Sequence, residues 1–101
     1  MGDTNNYNKV DRDGNVTGGH VEGIGLEIMW QDGPVVDGVR NGAFVDDVLA
    51  AALQRLEAYE ESRLSCFENQ HAITKIQEAM QWLDSCRRGR ESRGVQGTYE
   101  H

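Results

Sequence analysis

The sequence predicts an α+β chain in which short N-terminal β-strands precede an antiparallel two-helix hairpin and a Gly/Arg tail, with oligomerisation completing the core. Three observations carry this expectation. Nine of the twelve glycines fall in residues 1–42 and none between 43 and 88, so a turn-rich front is followed by an uninterrupted helical body. Residues 24–30 alternate in hydrophobicity with period two, which is the pattern of a half-buried strand. Residues 45–83 instead repeat apolar side chains at spacings of four and three, which line one face of a helix. In 101 residues one hairpin and a few strands make a thin core, so subunit contacts are expected to finish it.

In order along the chain, residues 1–19 are a polar N-terminal segment with a possible β-turn, and residues 20–101 form a single domain. That domain divides into a strand at 23–31, helices at 42–61 and 66–93, and a tail at 94–101. Met1 to Asn8 is polar and is expected to fray. Asp13-Gly14, between Val10 and Val16, supplies the positive backbone angles of a tight hairpin. Asp11, Asp13, Asn15, Thr17 and Glu22 also imitate a calcium loop, but Val16 stands where such a loop requires Gly, so the hairpin is preferred. Ile24, Leu26, Ile28 and Trp30 line one side of the strand, which stops at Gln31-Asp32-Gly33-Pro34. Gly23 and Gly25 mark a bulge or a close backbone approach.

Asn41-Gly42 is read as the cap of the first helix, with Asp46 and Asp47 in its opening turns complementing the helix dipole. Its apolar face is Val45, Leu49, Ala52, Leu56 and Tyr59. Ser62-Arg63-Leu64 leaves room only for a turn, and Ser65-Cys66-Phe67-Glu68 is read as a capping box. Ile73, Ile76, Met80 and Leu83 then continue the spacing on the second helix. Phe44, Val48, Leu53, Ala79 and Trp82 lie off the shared seam and also call for burial.

Charge excludes several function classes. Seventeen Asp and Glu against ten Lys and Arg give a net charge of −7, and the pI is about 4.8. General duplex binding needs clustered bases, so no long nucleic acid is expected as a partner. The longest apolar run, Val48 to Leu53, is too short to cross a bilayer, and no apolar segment follows Met1, so neither a membrane helix nor a signal peptide is expected. Cys66 and Cys86 on one helix stand about 30 Å apart, beyond disulfide reach, and with His20, His71 and His101 scattered no metal site or cofactor is expected. No Ser/His/Asp or Cys/His arrangement, Walker loop or HExxH motif is present, so no catalytic residues are assigned and the chain is not expected to be an enzyme. Asp46-Asp47 and Glu60-Glu61 point about 100° apart on a helix and cannot act as facing carboxylates.

The net charge conceals an asymmetry: residues 1–86 carry 6 bases and 15 acids, whereas residues 87–101 carry 4 bases and 2 acids. On a helix running to Arg93, Arg87, Arg90 and Arg93 share a face that can grip phosphate bidentately. Gly94, Val95 and Gly97 then let backbone amides approach the same anion, and Thr98 adds a hydroxyl. Basic residues at a helix C-terminus also stabilise its dipole, so residue types alone leave both readings open. Across the turn, Tyr59 and Asn69 fall side by side in an antiparallel hairpin. An aromatic plane beside an amide can act as a base-reading pair, but on residue types alone Tyr59 reads first as a seam residue with its hydroxyl at the surface.

Trp30-Gln31-Asp32-Gly33-Pro34, Asn41-Gly42-Ala43-Phe44-Val45-Asp46-Asp47-Val48, Cys66 with Glu68-Asn69, and the closing Arg93-Gly94-Val95-Gln96-Gly97-Thr98 together resemble the small bacteriophage Thoeris anti-defence proteins. Those share a helical-hairpin domain with the phage cyclic-nucleotide sponges that block CBASS immunity. The resemblance covers residues 20–101 and leaves out residues 1–19. It implies a non-enzymatic sponge, acting in the host bacterial cytoplasm, that withholds nucleotide alarm signals from their effectors. The implied ligands are glycosyl cyclic ADP-ribose isomers and cyclic di- or trinucleotides, held at protomer interfaces of a homohexamer. Carried onto this sequence, Tyr59 and Asn69 would read an adenine, Arg87 or Arg90 would meet the pyrophosphate, and Arg93, Gly94, Val95, Gly97 and Thr98 would line a cyclic-oligonucleotide pocket. The sequence departs from the family pattern at Phe67, where an acidic residue is usual, and at Gly89 within the arginine stripe. The rival expectation is an acidic helical-hairpin adaptor that binds a host protein.

Overall fold

The computed structural model describes residues 4–92, and the side chains of residues 4–89. The α+β arrangement is as predicted. Strands β1 (Thr4–Val10), β2 (Val16–Gly23) and β3 (Leu26–Met29) form an antiparallel sheet in the order β1-β2-β3, and helices α1 (Val45–Glu60) and α2 (Phe67–Ser92) follow. Residues 4–44 belong to a sheet unit and residues 45–89 to a helical unit.

The first hairpin forms where Asp-Gly predicts it. Gly14 has φ +83°, and the Asp11 carboxylate accepts from the amides of Asp13 at 2.9 Å and Asn15 at 3.0 Å. Asp11 is thus spent on an Asx turn, the local bond that lets a short carboxylate stand in for backbone. The expectation that residues up to Asn8 fray is corrected: Thr4 to Val10 pair with β2 from Gly23 back to Val16. Every residue of β1 is exposed, so backbone pairing and not burial holds it, and hydrophobic periodicity has nothing to report there.

The strand expected at 23–31 is, by contrast, shorter: β3 covers only Leu26–Met29. Gly23 pairs with Leu26, leaving Ile24 and Gly25 as a two-residue turn, and regular pairing stops at Met29. Beyond it the chain makes a clasp. Trp30 bridges Ala43, with the Gln31 amide donating to the Ala43 carbonyl at 2.9 Å and the Ala43 amide to the Met29 carbonyl at 2.8 Å. Gln31, only 6% exposed, accepts at Oε1 from the amides of Asn41 (2.9 Å) and Gly42 (3.1 Å) and donates from Nε2 to the Gly33 carbonyl at 3.3 Å. Asn41 completes it, its Oδ1 accepting from the Asp32 amide at 2.7 Å and its Nδ2 donating to the Asp32 carbonyl at 2.8 Å. Asn41-Gly42 is therefore a strand-edge clamp and not the cap of α1, which starts three residues later at Val45. Glycine is required at 42, because a Cβ there would stand 2.5 Å from the Trp30 carbonyl carbon.

In the helical unit the seam is rotated from the expected one. Val48, Leu49, Leu53, Leu56 and Tyr59 of α1 are half-buried while Ala52 is exposed, and on α2 Ala72, Ile73, Ile76, Ala79, Met80 and Leu83 are half-buried. Positions 52 and 53 are neighbours around the helix, and turning the larger Leu53 inward removes more apolar surface from water. Among the described residues no apolar side chain is fully buried, and Phe67 and Trp82 stay 68% and 77% exposed.

Candidate functional site

The two ends of the helical hairpin are built from different chemistry. At the closed end, Glu60 in the last turn of α1 faces the first turn of α2. Its carboxylate accepts from the Cys66 amide at 3.1 Å, the Ser65 hydroxyl at 2.9 Å and Gln70 Nε2 at 3.1 Å. The Cys66 amide is the main cause that holds the Glu60 carboxyl below its ordinary range, opposed by partial desolvation and helped by Gln70, Ser65 and Asn69. A carboxylate placed before a helix start also meets the positive end of its dipole. Ser65 is thus engaged with Glu60, and α2 begins at Phe67, one residue later than a cap at Ser65 would place it. The Ser62 hydroxyl donates to the Tyr59 carbonyl at 2.6 Å and accepts from the Leu64 amide at 3.0 Å, tightening the turn.

The two base-reading candidates flank this network, each with a partner of its own. The Arg55 guanidinium stands 5.9 Å from the centroid of the Tyr59 ring, a cation–π contact one turn back along α1. Asn69 donates from Nδ2 to the Leu64 carbonyl at 3.1 Å. Asn69 therefore closes the turn whatever else it does. Both residues are half-buried.

At the open end, Arg87 of α2 pairs with Asp46 in the first turn of α1. Its other nitrogen lies 3.8 Å from Asp84, and Arg88 reaches Asp84 at 3.3 Å. Asp46 with Arg87, and Glu60 with Gln70, tie opposite ends of α1 to opposite ends of α2, which makes the hairpin antiparallel. Arg90 follows Arg87 by three helical positions in α2. Arg93, Gly94, Val95, Gly97 and Thr98, the remainder of the predicted site, lie outside the described residues. Sequence reasoning missed Asp46 and Glu60 as hubs, because each partners a residue brought close only by the turn. Among the described residues no group of three His, Cys, Asp or Glu side chains is placed to hold a metal ion, and no helix is long and apolar enough to cross a membrane.

The clasp, the turn and the Asp46–Arg87 tie lie in or beside a segment that matches known proteins. The model of the Acb2/Tad1 hairpin domain matches residues 22–86. The chain belongs to the Acb2/Tad1 hairpin-domain family. A curated relative, Thoeris anti-defense 1 of Bacillus phage SBSphiJ7, is 41% identical over 73 residues, which is 72% of this chain and 51% of the relative. The chain thus spans about half the length of the curated relative it matches. Tyr59 and Asn69 fall inside the segment matched by the hairpin domain, while Arg87 and the basic positions after it begin one residue beyond it. Strand β1 and nearly all of β2 precede it.

Proposed function

We propose that the chain is a phage anti-defence protein that binds and holds bacterial immune nucleotide second messengers, glycosyl cyclic ADP-ribose or cyclic di- and trinucleotides, without degrading them. The observation that carries this reading is membership of the Acb2/Tad1 hairpin-domain family together with the likeness to Thoeris anti-defense 1. Holding a signal needs affinity without chemistry, and the residues of the hairpin supply the parts. Tyr59 offers an aromatic face and Asn69 an amide edge for an adenine. Arg87 is engaged by Asp46 and Asp84, which favours it as the positioning member of the stripe and leaves the pyrophosphate contact to Arg90, while Arg93 lines the cyclic-oligonucleotide pocket. Gly94, Val95, Gly97 and Thr98 then contribute backbone amides and a hydroxyl to a cyclic oligonucleotide.

The exposed Phe67 and Trp82, and the lack of any fully buried apolar side chain among the described residues, support a homo-oligomer, with the hexamer being the form that the family resemblance implies. Symmetry would gather several short basic stripes inside an acidic particle, admitting small cyclic anions and repelling long ones. Calorimetric titration with cyclic ADP-ribose isomers and cyclic oligonucleotides tests the assignment. Arg93→Ala should weaken binding while leaving the unfolding temperature unchanged, and unaltered affinity in both Arg93→Ala and Tyr59→Ala would remove these residues from the site.

A further inference from the structure

The sheet carries a surface that the nucleotide reading does not use. Register places Tyr7 of β1 opposite His20 of β2, and His20 opposite Met29 of β3. Their side chains therefore stand in one row across all three strands, on the same face. Tyr7 and Met29 are 55% and 63% exposed, His20 is exposed, and the Tyr7 and His20 rings lie 5.7 Å apart at 41°. Two residues along the strands, on the same face, Glu22 stands directly opposite Glu27. Both are exposed, and neither carboxylate makes an ion pair or hydrogen bond among the described residues. Like charges facing each other across a strand pair are destabilising unless something cationic comes between them. Tyr7 and His20 precede the family-matched segment 22–86 and Met29 lies inside it, so the row spans the start of that segment.

We propose that this row docks an exposed arginine of a partner protein, the guanidinium lying over Tyr7 and His20 and its N–H groups directed to Glu22 and Glu27. The chemistry selects arginine on three counts. A guanidinium is flat and stacks on an aromatic face, where a cation is attracted to the ring. Residues two apart on a strand stand about 7 Å from one another, so a group stacked on the row lies beside the carboxylates. Its planar fork meets a carboxylate with two parallel hydrogen bonds, which an ammonium cannot do. The polarizable thioether of Met29 adapts to the aliphatic stem, and the chain's net charge of −7 draws a basic segment to the surface.

The test titrates the full chain with an acetylated, amidated Gly-Arg-Gly-Arg-Gly peptide and with its lysine counterpart, following the Tyr7 and His20 ring and Met29 methyl resonances. The arginine peptide should shift all three and bind about 5-fold or more tightly than the lysine peptide. Tyr7→Ala and the pair Glu22→Gln/Glu27→Gln should each weaken it about 10-fold. The control pair Glu57→Gln/Glu78→Gln, which removes the same charge from the helices, should change it less than about 2-fold. Equal loss in the control would mean unspecific attraction and overturn the proposal. So would a Tyr7→Ala variant that keeps its peptide affinity, one whose oligomeric mass falls instead, or resonance shifts produced by a nucleoside and not by the peptide. Cyclic-nucleotide binding by the same variants should be unaltered, which separates this surface from the site at the helices.

Discussion

The clasp in the sheet unit and the turn in the helical unit solve one problem with two kinds of side chain. In each, a side chain reaches ten residues ahead to close an excursion of the chain: Gln31 takes the Asn41 amide, and Glu60 takes Gln70 Nε2. Gln31 is a neutral amide withdrawn from water, with both its oxygen and its nitrogen engaged. Glu60 is a carboxylate at the surface, accepting only, with its charge aimed at a helix start. A buried polar group is costly when left unpaired, whereas an exposed one can turn to water. The clasp should therefore be the brittle, pH-insensitive closure and the turn the yielding, titratable one.

The contrast breaks most visibly at the clasp. Gln31→Ala removes the shared acceptor of the Asn41 and Gly42 amides from a part-buried place, which should cost about 1–3 kcal/mol in chemical denaturation. Gly42→Ala should approach the same loss through overlap with the backbone of Trp30. At the turn, Asn69→Ala removes one bond to the Leu64 carbonyl and should cost about 1 kcal/mol, so a weakened ligand titration in that variant must be read beside its unfolding curve. The Asp46–Arg87 tie is partly exposed, and Asp46→Ala should cost about 0.5–1 kcal/mol, less at high salt.

The titratable difference is the finest test of the pair. The Glu60 carboxyl is lowered from its ordinary 4.5, so folding binds fewer protons there than the unfolded chain does. Its contribution is present above that ordinary value and is lost as pH falls through the depressed folded value. Glu60→Gln should flatten this acid limb of stability against pH, and Gln31→Ala should shift the whole curve down without changing its shape.

These two closures also show what the sequence could and could not disclose. The helical hairpin is legible because Leu49, Leu56, Ile73, Ile76, Met80 and Leu83 repeat at helical spacing, a local signal of burial. The rotation that turns Leu53 inward and Ala52 outward is not, since it depends on the partner helix. β1 escapes notice because Thr4 to Val10 has no apolar alternation and is held chiefly by backbone pairing with β2. Asn41-Gly42 reads equally well as a helix cap or a strand clamp, and only Gln31 and Asp32, ten and nine residues before Asn41, decide it. Of the candidate site, Tyr59, Asn69 and Arg87 were legible by residue type, but their partners Arg55, Leu64 and Asp46 were not, because residue type does not disclose which neighbours the fold supplies.

The proposed function is retention of an intact nucleotide, with no bond made or broken, by Tyr59, Asn69 and the arginines that follow them. The most direct measurement mixes the purified chain with cyclic ADP-ribose isomers and cyclic di- and trinucleotides, removes the unbound fraction, denatures the protein by heat and identifies what is released. Retention without chemistry predicts recovery of an unaltered cyclic nucleotide, in an amount sharply reduced by Arg93→Ala. Release of a cleaved product, or of no nucleotide at all from folded protein, would contradict it.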